Sequence, residues 1–473
     1  MSTALLQAQS RSRSTVPAGV AAGHPATTEV GLRVLAAGGS AADAAVAAML
    51  AGCAAESVLT GLAGGGFATY FDAATGATTC LDFFCAVPGL DSTAPAAPMV
   101  PIKISFGGVP QRYEIGASSV GVPGIPAGAG EIHRRWGRLP WQRVVAPALN
   151  LARSGVLLPG PHARTLVSLA PAMLPGFGSA VYAPEGRLLE GGELLHHPGL
   201  DAAFGILSAE GPAAFYTGRV GQLMLSQVRA GGGVLSARDL ASYRVLQVPV
   251  TAAAFGRYRV LARTDLNETI RTIAALPAGF APLDLADALL VYGSQRLGDT
   301  TNISVVDEAG NACVITMTLG IGAGVWLPGL GVHLNSMLGE GDLIRPGTLP
   351  GERMASCMCP TVVLDPTGGL VMAIGSAGAT RIRTALIQTL TNVLVHGDDT
   401  ATAIGRPRFH PVSVDGGRLV HVEPGADPAP FVAAGYSVQQ WDRLDHYFGG
   451  VSAVGLAGAG GDPRRGGVGR LLA

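Results

Sequence analysis

The sequence predicts a protein built from packed layers of α-helices and β-sheets. Hydrophobic residues make up 48% of its 473 residues and charged residues only 14%. So apolar a chain can bury a large core and is the opposite of a disordered protein. Predicted strands and helices are mixed in both halves of the chain, which favours layered α/β packing. The length fits one large domain or two to three smaller ones.

The first part of the chain predicts two helices followed by a β-hairpin. Residues 27–55 have the pattern of a helix pair broken at Gly38-Gly39, where Ser40 can cap the second helix. Residues 67–72 alternate like a strand, and a turn leads into a second strand over 78–84. We expect irregular structure over 90–115, helices near 124–136 and 141–154, and short helices with loops over 156–235.

The second part of the chain is predicted to be richer in strands. A strand over 258–263 and a helix over 268–276 precede a clear β-hairpin, whose strands are 301–306 and 312–318. Further strands are expected at 360–364 and 370–375, followed by a helix over about 381–396.

The hairpin after residue 300 places two threonines in opposition. If its turn centres on Ala309, antiparallel partners have numbers that add to 618, so Thr300 faces Thr318. Directly opposed residues have Cβ atoms about 4.5–5.5 Å apart, within reach of one hydrogen-bond network. Threonine is also common at strand ends, and a one-residue slip would put the two on opposite faces, so the spacing alone leaves a structural role open.

Composition excludes several classes of function. The net charge is −1 and no basic stripe is visible, which argues against nucleic-acid binding. The only lysine, Lys103, is not in a phosphate-binding loop, and the glycine-rich segments have the wrong spacing or order for a dinucleotide site. The ten histidines show no metal-ligand spacing. We therefore expect neither a metal nor a cofactor.

The cysteines and the N-terminus indicate an intracellular protein. Six scattered cysteines without a CxxC pair are expected to be buried free thiols. The first residues lack the apolar segment of a secretory signal, and no stretch of 18 or more apolar residues avoids glycine breaks. We therefore expect a cytoplasmic protein without membrane contact.

The segment 375–381 joins a predicted strand to a predicted helix. Backbone N–H groups at such a junction could stabilise an oxyanion, because a helix N-terminus carries partial positive charge. A plain tight connection explains the segment equally well. Ser376 does not belong to a GxSxG nucleophile elbow, and no such elbow occurs in the chain.

Several ordered motifs together resemble the γ-glutamyltransferase family of N-terminal-nucleophile hydrolases. The resemblance starts with His24-Pro25 and the helix pair and continues through Gly61–Phe67. It includes Thr300–Asp307 with Gly310-Asn311-Ala312, which is similar to the family's cleavage and nucleophile motif. It ends with Pro407–His410 and Asp462-Pro463-Arg464-Arg465.

The resemblance implies a four-layer αββα sandwich and a precursor that cuts itself before Thr300. Residues 1–299 would form the large-subunit region and 300–473 the small-subunit region, interleaved in one domain and associated after cleavage. The freed Thr300 would carry both a nucleophilic hydroxyl and an α-amino group, whose pKa of about 7.7–8.0 suits a general base. By resemblance, Thr318 supports the nucleophile, and the N–H groups of Gly378 and Ala379 are the oxyanion donors.

The resemblance also implies the substrate-binding residues. Ser356 and Cys357 occupy the positions of a Ser-Ser pair that contacts the substrate carboxylate, and Glu340 stands in for the acid that holds the substrate amino group. The family's Asp-Phe-Arg motif reads Asp82-Phe83-Phe84 here. Phe84 therefore replaces the arginine that clamps the substrate α-carboxylate.

The implied activity is transfer or hydrolysis of a γ-glutamyl group of glutathione type through an acyl-enzyme, with water or an amine as acceptor. Two alternatives stay open. One is an acylase of specialised metabolism, on the same fold, whose non-glutamyl substrate fits the apolar Phe84. The other is an unprocessed, catalytically silent binding protein.

Overall fold

The strands form two large sheets and several small ribbons. The computed structural model describes residues 15–106, 109–263, 268–291, 300–414 and 416–473. The strands of these residues are β1 (Gly19–Ala22), β2 (Gly65–Phe71), β3 (Thr78–Phe83), β4 (Val100–Phe106), β5 (Val109–Ile115), β6 (Val156–Leu157), β7 (Leu194–Leu195), β8 (Leu246–Val248), β9 (Val250–Phe255), β10 (Tyr258–Arg263), β11 (Thr301–Val306), β12 (Ala312–Thr318), β13 (Trp326–Leu327), β14 (Val332–His333), β15 (Thr361–Leu364), β16 (Leu370–Ala377), β17 (Phe409–Val414), β18 (Gly417–Val422), β19 (Ser437–Gln440), β20 (Gly450–Gly455), β21 (Gly458–Gly461) and β22 (Val468–Leu471).

The helices are distributed over both halves of the chain, as the sequence predicts. They are α1 (Pro25–Ala36), α2 (Ala41–Ala55), α3 (Ile125–Trp136), α4 (Trp141–Ser154), α5 (Gly160–Met173), α6 (Gly178–Tyr182), α7 (Leu200–Glu210), α8 (Arg219–Ala230), α9 (Ala237–Ser242), α10 (Thr269–Ala275), α11 (Pro282–Val291), α12 (Arg381–Leu394), α13 (Thr400–Gly405) and α14 (Ala429–Ala433).

Two sheets stacked face to face form the centre of the molecule. The first sheet has the strand order β22-β1-β11-β12-β2-β3-β8, and the second has the order β21-β20-β16-β15-β10-β9. β11 and β12 of the first sheet pack on β16 and β20 of the second. Helices α1 and α2 cover the outer face of the first sheet, and α10, α12 and α13 cover the second. The four-layer αββα sandwich is thereby confirmed.

Helix α2 is the central element of the helical layer on the first sheet. All fifteen of its residues are buried, and its many alanines allow the close approach of α1, α3 and α4. Ser40 caps the helix as predicted: its side chain accepts a hydrogen bond from the Asp43 N–H, and the Asp43 side chain accepts one from the Ser40 N–H. The predicted break between α1 and α2 is confirmed.

The expectation of irregular structure over 90–115 is wrong for most of that range. Strands β4 and β5 form a two-stranded ribbon there. Ile104, Tyr113 and Ile115 are buried on it and pack on α5. Pro101 can stand in β4 because a two-stranded ribbon has no third strand that needs its missing N–H. Proline content therefore concealed the alternation of apolar residues.

The other predicted elements match the structure to within a few residues, including both strands of the 301–318 hairpin. The pattern missed β1, the strands β6 to β9, α11, β13, β14 and every element after residue 396. Within the described ranges, no helix is both long enough and apolar enough to span a bilayer.

Candidate active site

The register of the central hairpin brings Thr300 and Thr318 to the same end of the first sheet. β11 and β12 pair with Thr301 opposite Met317 and Asn302 opposite Thr316, so partner numbers add to 618 as predicted. Thr300 directly precedes β11, and Thr318 is the last residue of β12, where it pairs on its other side with Gly65. Both threonines are 5% exposed. The site is therefore sheltered from bulk water.

The turn between β16 and α12 delivers a backbone donor to Thr300. The Gly378 N–H donates a hydrogen bond of 2.7 Å to the Thr300 Oγ1. Gly378 has φ +116°, and a Cβ there would lie 2.9 Å from the Gly449 Cα. Only glycine fits this position without displacing the neighbouring backbone.

Ala379 follows in a left-handed conformation with φ +51°, alone among the described residues other than glycine. Such a conformation costs a non-glycine residue about 1–2 kcal/mol and is typical of functional turns. The structure thus places Gly378 and Ala379 in a strained turn beside the Thr300 hydroxyl. Their role as oxyanion donors stays a prediction.

Arg465 holds the backbone of Thr300. Its Nη1 donates a hydrogen bond of 3.1 Å to the Thr300 carbonyl oxygen, and its Nη2 donates one of 3.3 Å to the His446 carbonyl. Arg465 is itself buried and packs on Gly450. The guanidinium therefore ties the residue before β11 to the segment that precedes β20.

A buried ion network supports the segment that carries Arg465. The preceding residue, Arg464, is paired with Glu423 and Asp462, and Asp462 also pairs with Arg408 at 2.7 Å. These side chains are all at most 2% exposed. Removing one partner from such a buried network leaves an uncompensated charge, which costs several kcal/mol. The network therefore fixes the position of Arg465.

Gly320 supplies the backbone partner of Thr318. Its N–H donates a hydrogen bond of 2.9 Å to the Thr318 Oγ1, and its φ is +68°. A Cβ on Gly320 would lie 2.9 Å from the Glu340 Oε1 and 2.8 Å from the Ser336 Oγ. The predicted substrate-binding acid Glu340 is therefore brought close to the predicted supporting hydroxyl.

The backbone of Phe84 lies next to Gly65, the strand partner of Thr318. A Cβ on Gly65, which pairs with Thr318, would lie 3.0 Å from the Phe84 Cα. The Phe84 ring is 1% exposed and stacks on Phe67 with ring centroids 5.5 Å apart. The Arg263 guanidinium lies over the Phe67 ring, 3.7 Å from its centroid. Position 84 therefore carries a packed aromatic ring, where the resemblance implies an arginine.

Ser356 and Cys357 lie on the loop before β15. Ser356 is buried; its Oγ accepts a hydrogen bond from the Met358 N–H, and its carbonyl accepts one from Arg263. Cys357 is half-buried, whereas the other five cysteines are buried, and all six are free thiols, as predicted. The contact of Ser356 and Cys357 with substrate stays a prediction.

A buried carboxyl group lies directly behind the start of β11. The Glu56 side chain accepts a hydrogen bond of 2.7 Å from the Thr27 hydroxyl and another from the Thr301 hydroxyl. Burial raises the pKa of Glu56 to about 7, although these hydrogen bonds and the Arg465 charge oppose the shift. Glu56 is therefore a titratable group one residue away from the predicted nucleophile.

Sequence reasoning did not find the roles of Glu56 and Arg465. Arg465 belongs to the last motif of the family resemblance, but nothing in its local pattern connects it with Thr300, 165 residues away. Glu56 follows the alanine-rich helix α2. A single acidic residue in an apolar run is the one sequence feature that could have indicated a buried carboxyl group. Among the described residues, no three His, Cys, Asp or Glu side chains are grouped closely enough to hold a metal ion.

The four-layer sandwich of two stacked sheets between helical layers is the fold of N-terminal-nucleophile hydrolases. The family model named Gamma-glutamyltranspeptidase matches residues 27–276 and 264–470. The chain therefore belongs to the gamma-glutamyltranspeptidase family, whose members are enzymes of the hydrolase and transferase type.

The relatives of the chain include two kinds of enzyme. It is 27% identical to the acylase ACY 1 proenzyme of Pseudomonas sp. (strain SE83), over 92% of this chain and 89% of that protein. It is 26% identical to the glutathione hydrolase proenzyme of Escherichia coli (strain K12), over 83% of this chain and 80% of that protein. The cephalosporin acylase structure from Bacillus halodurans has the same fold, with a TM-score of 0.79, 20% identity and 96% coverage of both chains.

Proposed function

We propose that the protein is a self-cleaving threonine amidohydrolase or acyltransferase whose nucleophile is Thr300. The observation that carries the proposal is the 2.7 Å hydrogen bond from the Gly378 N–H to the Thr300 Oγ1, at the end of β11 that faces Thr318. Acyl transfer requires a backbone donor beside the nucleophile, so that the carbonyl oxygen under attack can accept its hydrogen bond, and the Gly378 N–H lies beside the Thr300 Oγ1.

The same hydroxyl would free its own amino group. Attack of the Thr300 Oγ1 on the carbonyl carbon of residue 299 forms an ester and breaks the peptide bond, which releases the Thr300 amine. Hydrolysis of the ester then leaves chains of 299 and 174 residues. Arg465, on the Thr300 carbonyl, holds the residue in place for this step.

In turnover, the free α-amino group of Thr300 would accept the hydroxyl proton as the Oγ1 attacks the substrate carbonyl. The N–H groups of Gly378 and Ala379 stabilise the tetrahedral oxyanion. The leaving amine takes the proton, and water or a second amine resolves the acyl-enzyme.

We propose a γ-glutamyl amide of glutathione type as the acyl donor. Family membership and the glutathione hydrolases among the relatives support it. Glu340 lies near Thr318 and Gly320, where it can hold the α-amino group of a glutamyl donor.

A second candidate donor is an amide of a non-glutamyl acid. It is favoured by Phe84, which has an apolar ring stacked on Phe67 at the position where the resemblance implies an arginine. Loss of a charge-assisted pair typically forfeits about 1.5–3 kcal/mol of binding. The acylase among the relatives supports this candidate too.

Mass spectrometry of the purified protein tests self-cleavage. We expect two chains in place of the 47.8 kDa precursor, and an uncut Thr300→Ala variant. Thr75→Ala, in an exposed turn, is the matched control and should cleave normally. An intact wild-type chain after long incubation would overturn the proposal and favour the silent binding protein.

Turnover of two p-nitroanilides separates the two donors. Fully cleaved protein that releases p-nitroaniline from the γ-glutamyl derivative supports the first candidate. Release from hexanoyl-p-nitroanilide but not from the γ-glutamyl derivative supports the second. Absence of both activities in cleaved protein would contradict the proposed chemistry at Thr300.

A further inference from the structure

A small pocket lies beside the turn that carries the predicted oxyanion donors. Its volume is about 90 Å³, and it is enclosed by the first residues of α12 and by the three-stranded sheet β17–β18–β19. The chain runs directly from Ala379 into Thr380 and Arg381, which line the pocket. None of the residues predicted to act as nucleophile, as oxyanion donors or in substrate binding lines it.

His421 lines this pocket and has a buried ring N–H group. The ring is fully buried, and its Nδ1 accepts a hydrogen bond of 3.2 Å from the Trp441 indole N–H. Burial and the Arg381 charge lower the pKa of His421 to about 4, so the ring is neutral at pH 7. Because Nδ1 accepts, the single ring proton resides on Nε2. Within the described part of the chain, Nε2 has no hydrogen-bond partner.

Arg381 gives the pocket its positive charge. It is 3% exposed, its Nε donates a hydrogen bond of 2.9 Å to the Tyr447 carbonyl, and its guanidinium lies 5.0 Å from the centroid of the Tyr447 ring. Arg381 is also the first residue of the fourteen-residue helix α12, whose N-terminus adds partial positive charge. Among the described lining residues there is no acidic side chain.

We propose that this pocket is a binding site for a small carboxylate, which would accept hydrogen bonds from the His421 Nε2–H and the Arg381 guanidinium. A buried donor without a partner is costly, and an anion would satisfy it. The volume is sufficient for a group of acetate size. The carboxylate is either a free anion or the carboxylate of an amine acceptor. The proposal does not rest on the function proposed for Thr300.

Binding of ¹³C-labelled acetate, followed by NMR line broadening at constant ionic strength, tests the site. The uncut Thr300→Ala protein is suitable, because the measurement needs no turnover. We expect saturable broadening that neutral acetamide and chloride do not compete away. Equal competition by chloride, or equal binding of acetamide, would overturn the proposal.

Two neighbouring residues of β19 offer a matched pair of variants. Gln439 and Gln440 are both exposed, but only Gln439 lines the pocket. Gln439→Glu places a negative charge at the pocket and is expected to weaken acetate binding about tenfold, whereas Gln440→Glu should change it less than twofold. Equal effects of the two variants would refute the site. Arg381→Gln should also weaken acetate binding at least tenfold. If Arg381→Gln does not fold, the comparison of Gln439→Glu with Gln440→Glu tests the site.

Glycine distinguishes the two sources of the carboxylate in the cleaved wild-type enzyme. If the pocket holds an amine acceptor, glycine accelerates p-nitroaniline release and acetate does not. Gln439→Glu then removes the acceleration by glycine. If the ligand is a free anion, acetate and glycine bind alike without acceleration. Either result supports the site, and failure of both ligands to bind contradicts it whether or not Thr300 is the nucleophile.

Discussion

The Arg465 guanidinium donates a hydrogen bond of 3.1 Å to the Thr300 carbonyl oxygen, although 165 residues separate the two in the chain. The same guanidinium also binds the His446 carbonyl. Its planar fork therefore fixes the backbone of Thr300 relative to the segment before β20. The orientation of the predicted nucleophile depends on a residue close to the end of the chain.

Substitution of Arg465 by lysine should impair positioning of Thr300. An ammonium group cannot reproduce the fork that holds two carbonyl oxygens. We expect self-cleavage and kcat to fall by about tenfold or more, with little change in KM, because the substrate-binding residues stay in place. Mass spectrometry over time and steady-state kinetics measure these quantities. The control is Arg470→Lys, whose side chain is 60% exposed; an unchanged kcat in Arg465→Lys would contradict the role given to Arg465.

Removal of the Thr318 hydroxyl should slow the chemistry without changing the shape of the site. In the wild-type protein the Gly320 N–H donates a hydrogen bond of 2.9 Å to the Thr318 Oγ1. Thr318→Val removes this acceptor. We expect a loss of about 1–3 kcal/mol in unfolding free energy and a fall of about 10- to 100-fold in kcat. Thr318→Ser keeps the hydroxyl and should retain most of the activity. Equal kcat values for the two variants would show that the hydroxyl is not used.

Gly378→Ala should disrupt the oxyanion turn through a steric clash. The added Cβ would lie 2.9 Å from the Gly449 Cα and 3.2 Å from the Arg465 Nη2. We expect kcat to fall by about 10²-fold or more, because the turn must shift away from Thr300. The matched control is Gly38→Ala, which has φ +81° but nothing within 4 Å of its new Cβ. That variant should lose about 1 kcal/mol of stability and keep its turnover.

Glu56 should make the stability of the protein depend on pH. Its pKa is about 7 in the folded protein and near 4.5 without the fold, so the folded state binds the additional proton between these values. Stability is therefore greatest below about pH 4.5 for this group and falls as the pH rises through 7, by at most about 1.4 kcal/mol per pH unit. Urea unfolding of the uncut Thr300→Ala protein from pH 5 to 8 measures the slope.

Glu56→Gln should flatten that slope, because the amide does not titrate. Glu308→Gln, at an exposed position of the β11–β12 turn, is the matched control and should leave the slope as it is. A slope that persists in Glu56→Gln would assign the pH dependence to other groups.

The predicted hairpin could be located from sequence because its pairing is local. A turn centred on Ala309 fixes the register of both strands, so the opposition of residues 300 and 318 follows from counting. The strand-to-helix junction at Gly378 could be found for a similar reason, because a short, almost wholly apolar run, β16, is followed directly by the amphipathic helix α12. Their assembly into one site required the family resemblance, since nothing in either local pattern says that β16 and β11 face each other.

Contacts over long sequence distances could not be predicted. Arg465 contacts Thr300 across 165 residues, and Glu56 contacts Thr301 across 245. The pocket of Arg381 and His421 includes strands after residue 396 that the pattern missed. The ribbon β4–β5 was concealed by prolines. The substrate contacts of Ser356 and Cys357, the subunit boundary and the cytoplasmic location stay predictions.

Both large sheets contain strands from before and after residue 300 that pair with one another. In the first sheet β1 lies between β11 and β22, and β2 pairs with β12; in the second sheet β10 pairs with β15. A cut before Thr300 would leave two polypeptides that cannot part without rupture of these ladders. Refolding of the cut molecule would then be a bimolecular reaction, so its melting temperature would depend on protein concentration, and strong dilution after melting would make the loss of structure permanent.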